Sequence, residues 1–327
     1  MPHDKRSNLR DVAAHAGVSV ATVSRVMNAP TSVKPKTRER VEAAMDALSF
    51  VPSAAARATS TGRTRMIGAL VPTLDNAIFA RVLEQMEHVL AEEGFSLVVS
   101  TTNGDKDREA ERANALINIG AEGLIVAGID HSERFNRIIA RSKRPTIVIS
   151  YFDAAFHLPT IGYDNAQVAR DAMAYLTGLG HERIAILHGP TQTNDRTGAR
   201  LRAIKADYDL PSFEAELSMA EGARLLHLAL AQEPTALLSL SDVHAAGAVM
   251  ECAKVGIAVP GDLSIMGIDD LPLSAHLHPA LSTMHLPVGV MGRKAAKAVA
   301  AWVETGERPA AECLNYTLSA RETTQAL

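Results

Sequence analysis

Two rhythms of apolar and polar positions divide this chain. Up to residue 48 the apolar residues recur at helical spacing. Leu9, Val12, Ala13 and Ala16 fall at i, i+3, i+4 and i+7, which predicts one amphipathic helix. Gly17 interrupts that pattern and suits a tight turn. Ser19 is a good N-cap for a second helix, VATVSRVMN, with Val23, Val26 and Met27 on one side. After Pro35, Val41, Ala44, Met45 and Leu48 repeat the spacing and predict a third. Three short helices with a tight turn between the first two describe a helix-turn-helix unit.

Beyond residue 65 the rhythm changes. Short apolar runs (MIGALVP, FSLVVSTT, EGLIVAG, PTIVIS) alternate with amphipathic stretches, among them FARVLEQMEHVLAEEG and DREAERANALINIG. The alternation then restarts with TIGYDN, AQVARDAMAYLTGLG, RIAILHG, GARLRAIKAD, ALLSLSD, HAAGAVMECAKVG and LSIMGIDD. Apolar runs of this length between helices are buried parallel strands of doubly wound sheets. Two such sets predict an α/β body of two subdomains facing across a cleft, behind an all-α head. Ligands of such sheets sit outside the carboxyl ends of the strands. Polar residues gather at those ends: Asp75 and Asn76, Ser150, Arg196 and Arg200, Ser241 and Asp242, Asp269 and Asp270.

Charge sharpens the division. Residues 1–65 carry 11 Lys/Arg against 5 Asp/Glu, while the remainder carries 22 against 32. A basic head on an acidic body implies that the head meets a polyanion. Two cysteines, Cys252 and Cys313, make no disulfide framework and point to a reducing, cytoplasmic setting. The polar, charged start of the chain does not read as a signal peptide, and no apolar run reaches spanning length, so no membrane partner is expected.

The exposed side of the second helix starts with Val20, Ala21 and Thr22, with Ser24 and Arg25 further along. In helix-turn-helix proteins this end of the second helix reaches base edges in the major groove. Arg25 suits guanine O6 and N7, and Ala21 suits a thymine methyl. Thr22, Ser24 and Asn28 suit phosphates, which position the head without specifying sequence. A small helical domain that binds protein is the alternative.

The stretch NLRDVAAHAGVSVATVSRVMN, followed by KTRERVEAAMDALSFVPSAAAR, resembles the DNA-binding head of the lac-repressor (LacI/GalR) family of bacterial transcription regulators. The body resembles that family's effector-binding core, itself similar to periplasmic sugar-binding proteins, notably through GYDN…GHERIAILHGP, SLSDVHAAGA and SIMGIDD…LSTMHLP. The resemblance implies a head over 1–51 and a hinge helix with linker over 52–65. It further implies a first subdomain over 66–162 plus 288–311 and a second over 163–287 plus 312–327. Operator contacts are implied for Asn8, Ser19, Val20, Ala21, Thr22, Ser24, Arg25 and Asn28, with Ser53, Ala56, Arg57 and Thr59 from the hinge.

Within that hinge, Ser53 can cap, the alanines at 54, 55, 56 and 58 favour helix, and Gly62 ends it. So short a helix is marginal in water without a partner. Two positions depart from the family: Ser53 replaces the usual Asn, and Thr59 stands where a leucine usually wedges between base pairs.

In the body the resemblance implies effector contacts from Asp75, Ile78, Phe79, Ser150, Tyr151, Arg196, Arg200, Ser241, Asp242 and Asp269. Arg200 matches the effector-contacting arginine, and Asp269 matches an aspartate that hydrogen-bonds the effector. Arg196 shares the helix face of Arg200, four residues away, and a solvated face would explain either one equally well. Asp269 could instead cap its loop, and Ile78, Phe79 and Tyr151 could belong to the core. Ser241 replaces the amide of an Asn-Asp pair, so at least one hydrogen bond to the ligand differs. A sugar, sugar acid or sugar phosphate would fit two arginines and a carboxylate. The family also implies a homodimer on a pseudopalindromic operator.

Other chemistry is weakly signalled. His276 and His278 lack a third ligand for a metal. GLGHER, at 178–183, fails the dinucleotide fingerprint, and no nucleophile elbow, phosphate loop or H-E-x-x-H occurs. No catalytic residue and no cofactor is therefore expected. The residues describe a ligand-responsive transcription regulator. Its rivals fit less well: a sugar- or nucleotide-processing enzyme would need a nucleophile–base set, and a solute-binding protein would not need the head.

Overall fold

The computed structural model describes residues 7–28, 30–51 and 62–327. The hinge positions Ser53, Ala56, Arg57 and Thr59 lie outside the described residues. The chain forms two compact units, residues 1–64 and 65–327.

In the head, α1 (Leu9–Ala16), α2 (Val20–Asn28) and α3 (Pro35–Ala47) follow the predicted spacing. Asn8 and Asp11 form a reciprocal capping box at the start of α1, with Asn8 Oδ1 accepting from the Arg10 N–H at 2.8 Å. Gly17 ends that helix at φ +62°, a left-handed conformation that glycine adopts without strain. Two residues on, Ser19 Oγ accepts from the Thr22 N–H at 3.1 Å and caps α2. Val12, Ala13, Ala16, Val23, Val26, Val41 and Ala44 make a core of small side chains, which lets three short helices pack closely.

The second unit holds two six-stranded sheets. The first has the order β11-β5-β4-β3-β1-β2, built from β1 (Met66–Val71), β2 (Ser96–Thr101), β3 (Gly123–Ala127), β4 (Thr146–Ile149), β5 (Thr160–Gly162) and β11 (Glu312–Cys313). All its pairings are parallel. The second has the order β12-β10-β9-β8-β6-β7, from β6 (Ile184–His188), β7 (Ser212–Glu214), β8 (Ala236–Ser239), β9 (Ser264–Asp269), β10 (Ser282–His285) and β12 (Thr317–Ser319). Only β12 runs antiparallel to its neighbour. Central strands such as β4 and β8 are buried along their whole length, as helices on both faces require.

Between strands of the first sheet lie α4 (Ala77–Glu92), α5 (Lys106–Asn118) and α6 (Glu133–Ser142). Around the second lie α7 (Asn165–Gly178), α8 (Asp195–Asp207), α9 (Met219–Leu230) and α10 (Asp242–Val255). The last helix, α11 (Val288–Thr305), follows a strand of the second sheet yet packs on α4 and on β3, β4 and β5 of the first. The chain thus passes between the sheets three times: after β5, after β10 and after β11.

Two details differ from the sequence reading. The return to the second sheet starts later than residue 312, because Glu312 and Cys313 still pair with Ile161 and Gly162 in β5. The stretch between α8 and β8, which the apolar runs leave without elements, holds β7 and α9. Ser218 caps α9, and Gly222, Leu225, Leu226 and Ala229 form its buried stripe. Among the described residues no helix is long and apolar enough to cross a membrane.

Candidate functional site

Two surfaces carry the candidate residues, one in each unit. On the head, the packing of Val23 and Val26 inward turns the opposite side of α2 outward. Ser19, Val20, Ala21 and Arg25 are exposed, and Thr22 and Ser24 are half-buried. Val20, 41% exposed, stands beside Ala21 at the helix start, so an apolar pair faces water where base edges would lie. The Ser19 and Thr22 hydroxyls lie 2.9 Å apart, so their first task is the cap. Asn8 likewise serves α1 through its Oδ1. The Asn28 side chain lies outside the described residues.

In the second unit, a cleft opens at the carboxyl ends of the strands. The first subdomain lines it with Asn76, Ile78, Phe79 and Val82 from the start of α4, and with Ser150 just after β4. Asn76 caps that helix by accepting from the Ile78 N–H at 3.1 Å. The second subdomain supplies Asn194, Arg196, Thr197 and Arg200 from the start of α8, then Leu240 and Ser241 after β8, and Asp269 at the end of β9. Each polar group sits where a strand ends or a helix starts, because there the backbone turns outward from the core.

Arg200 is 5% exposed and held on three sides. Its Nε donates to Asn165 Oδ1 at 3.0 Å, its Nη1 donates to the Leu240 carbonyl at 2.8 Å, and Nη1 lies 3.8 Å from Asp269 Oδ1. Asp269 Oδ2 accepts from Ser241 Oγ at 2.9 Å. Burial pushes the Asp269 carboxyl up to about 7, although Arg200 pulls it down. Asp269 also has φ +135° and Ser150 φ +66°, conformations unusual for residues with a side chain. Such backbone strain concentrates at binding sites. The cleft therefore joins an apolar wall to an Arg–Asp–Ser set held by its own hydrogen bonds and ion pair.

Of the ten body residues picked from the sequence, the structure brings together seven: Ile78, Phe79, Ser150, Arg196, Arg200, Ser241 and Asp269. Three lie outside the lining. Asp75 is exposed in the loop before α4, and Asn76 takes the cleft position instead. Tyr151 packs its backbone against Gly162 of β5, and Tyr163, only 1% exposed, is the tyrosine that lines the cleft. Asp242 faces inward. Its carboxylate accepts from the Leu271 N–H at 3.0 Å, Ser274 Oγ at 2.5 Å and Thr283 Oγ1 at 2.6 Å, tying α10 to the segment after β9 and to β10 itself. Burial holds its carboxyl above the usual range. The next acidic neighbour, Asp270, takes Arg321 Nη2 at 2.6 Å and His285 Nδ1 at 2.9 Å. Burial raises that carboxyl, but these two partners outweigh it and leave it below the usual range.

Sequence reasoning missed Tyr163, Asn165, Asn194 and Thr197 as site residues. Asn194 carried a signal as the N-cap of α8, where it accepts from the Thr197 N–H at 3.3 Å. Among the described residues no three His, Cys, Asp or Glu side chains gather as a metal site.

A helical head with an exposed second helix, followed by a two-subdomain body with a polar cleft, defines a transcription regulator with a DNA-binding domain and a ligand-binding domain. Comparison with known proteins gives the family. Residues 8–53 match the bacterial regulatory proteins of the lacI family, and residues 173–324 match the periplasmic binding protein-like domain. The HTH-type transcriptional regulator MalR of Streptomyces coelicolor is 30% identical over 308 residues, covering 89% of this chain and 88% of that protein. A transcriptional regulator of the same family from Silicibacter pomeroyi superposes with a TM-score of 0.88 at 25% identity, over 98% of this chain and 99% of that one. The lac repressor dimer bound to operator and the anti-inducer ONPF superposes with a TM-score of 0.87 at 26% identity, over 98% and 100%. The chain belongs to the lacI family, and its relatives are regulators rather than enzymes.

Proposed function

We propose that this protein is a cytoplasmic repressor that binds a pseudopalindromic operator as a homodimer and answers to a small sugar or sugar derivative in the cleft. What carries the reading is the exposed start of α2, with Val20, Ala21 and Arg25 presented outward on a capped helix. Arg25 reads guanine, Ala21 and Val20 meet thymine methyls, and Thr22, Ser24, Asn28, Ser19 and Asn8 hold phosphates. The likeness to the lac repressor dimer on its operator supports paired heads. For the hinge, we extend the proposal to Ala56 and Arg57 in the minor groove, and Thr59, shorter and more polar than a leucine, gives either a weaker kink or a register in which another residue supplies the wedge.

In the cleft, Arg200, Asp269 and Ser241 bind the ligand's polar groups while Ile78 and Phe79 cover its apolar face. The ligand controls operator binding to the extent that it prefers one relation of the subdomains over the other, and operator binding must alter ligand affinity reciprocally.

Fluorescence anisotropy with labelled operator tests the head. Each phosphate that the head neutralises adds about 0.9 to the steepness of log affinity against log salt, so affinity falls sharply between about 50 and 200 mM. Arg25→Ala should weaken specific binding by about 1–3 kcal/mol and relax the preference at one base pair. Affinity independent of salt would sink the reading.

A further inference from the structure

The first residue of α8, Asp195, reaches across the seam between the two subdomains. Its Oδ2 accepts from the main-chain N–H groups of Ile129 at 2.5 Å and Asp130 at 3.1 Å, in the loop that follows β3. Its Oδ1 accepts from Arg196 Nη1 at 2.8 Å. Both side chains are largely buried, Asp195 at 11% and Arg196 at 10% exposure. The seam is close on either side of this contact. A Cβ added at Gly128 would stand 2.6 Å from Asp195 Oδ2, and one added at Gly104 would stand 3.0 Å from the Thr193 Cβ. Two loops of the first subdomain thus admit residues 193–196 of the second to contact distance.

The two main-chain bonds exist only while the subdomains are together. Like the bond to Arg196, they end on a carboxylate, and a charged acceptor makes them stronger than neutral hydrogen bonds. Arg196 meanwhile lines the ligand cleft. One carboxylate therefore holds the opposite subdomain with one oxygen and a cleft guanidinium with the other.

We propose that Asp195 is an intersubdomain latch that, through its grip on Arg196, makes subdomain closure and the state of the cleft a single equilibrium. Asp195 touches no ligand in this scheme; it is a positioning residue. A ligand that leaves Arg196 in place preserves the latch, and one that draws Arg196 inward removes a donor from Asp195 and loosens it. Either way the ligand acts through its differential affinity for latched and unlatched states.

The latch does not depend on which molecule fills the cleft, so ligand-free protein tests it, and its failure would leave the reading of the cleft intact. Hydrogen exchange of full-length Asp195→Ala should show the Ile129 and Asp130 amides opening about tenfold or more faster, since local opening sets their protection. Small-angle scattering should show a larger radius of gyration. Amides in β6 and β8 should keep wild-type protection. Unchanged exchange at 129–130 would overturn the latch, and so would faster exchange spread equally through β6 and β8, which marks general destabilisation. Should Asp195→Ala fail to fold, the isosteric Asp195→Asn gives the same test: loss of the charge must still speed exchange at those two amides, and full protection there refutes the proposal.

Discussion

The two walls of the cleft are built from different chemistry. The first subdomain offers Ile78, Phe79 and Val82, side chains that give contact area without direction. The second offers Arg200, Asp269 and Ser241, whose hydrogen bonds fix angles as well as distances. The contrast follows from position in the fold. The start of α4 lies over the first sheet and is packed by α11, so its residues serve the core and the cleft together. The second wall is made of strand ends and a helix start, where polar groups are left over from the backbone ladder. Affinity should therefore draw on both walls and discrimination between ligands mainly on the second.

The sharpest way to break this comparison is Arg200→Ala. It removes a buried cation and leaves the Leu240 carbonyl and Asn165 Oδ1 without their donor, which should destabilise the body by about 3–5 kcal/mol and abolish the ligand response. Denaturant unfolding measures the first and a thermal-shift panel of sugars the second. Phe79→Ala should come next, at about 3 kcal/mol, since Phe79 is 8% exposed and borders space that water can fill. It should weaken every responding sugar by a similar factor, whereas unequal losses among epimers would show that the apolar wall discriminates too.

Taken per pH unit, the smallest effect is a dependence on pH. The folded Asp269 carboxyl titrates near 7 and the unfolded one near its ordinary value of 3.8. Between these values the folded state binds more protons, so this group's contribution to stability is present at about pH 4 and lost as pH rises to 7. The slope cannot exceed about 1.4 kcal/mol per pH unit. Asp269→Asn should flatten the curve of unfolding free energy over that window relative to wild type, and parallel curves would refute the assignment.

How far the sequence revealed these walls can be judged from its aspartates. Asp242 and Asp269 both follow apolar strand patterns, and both have the look of ligand groups. What separates them is the arrival of Leu271, Ser274 and Thr283 around Asp242, residues 29–41 positions away in the chain. Local pattern carries no record of such a meeting. Tyr151 and Tyr163 differ in the same way, since only the pairing of β4 with β5 decides which ring reaches the cleft. The head is more legible. Its helices, turn glycine and cap are all encoded within a few residues of where they act. Between these extremes stands α9, whose Ser218 cap and buried stripe are written in the sequence without a preceding apolar run to announce them.

The late position of α11 has a consequence for synthesis. This helix covers the first sheet, yet residues 288–305 leave the ribosome only after the entire second sheet except β12 has been made. Until then the nascent first subdomain lacks both its covering helix and its edge strand β11. Its apolar face must wait, shielded by chaperones or by transient contacts, until those residues are made. The subdomain begun first is the one finished only after most of the second sheet has been made.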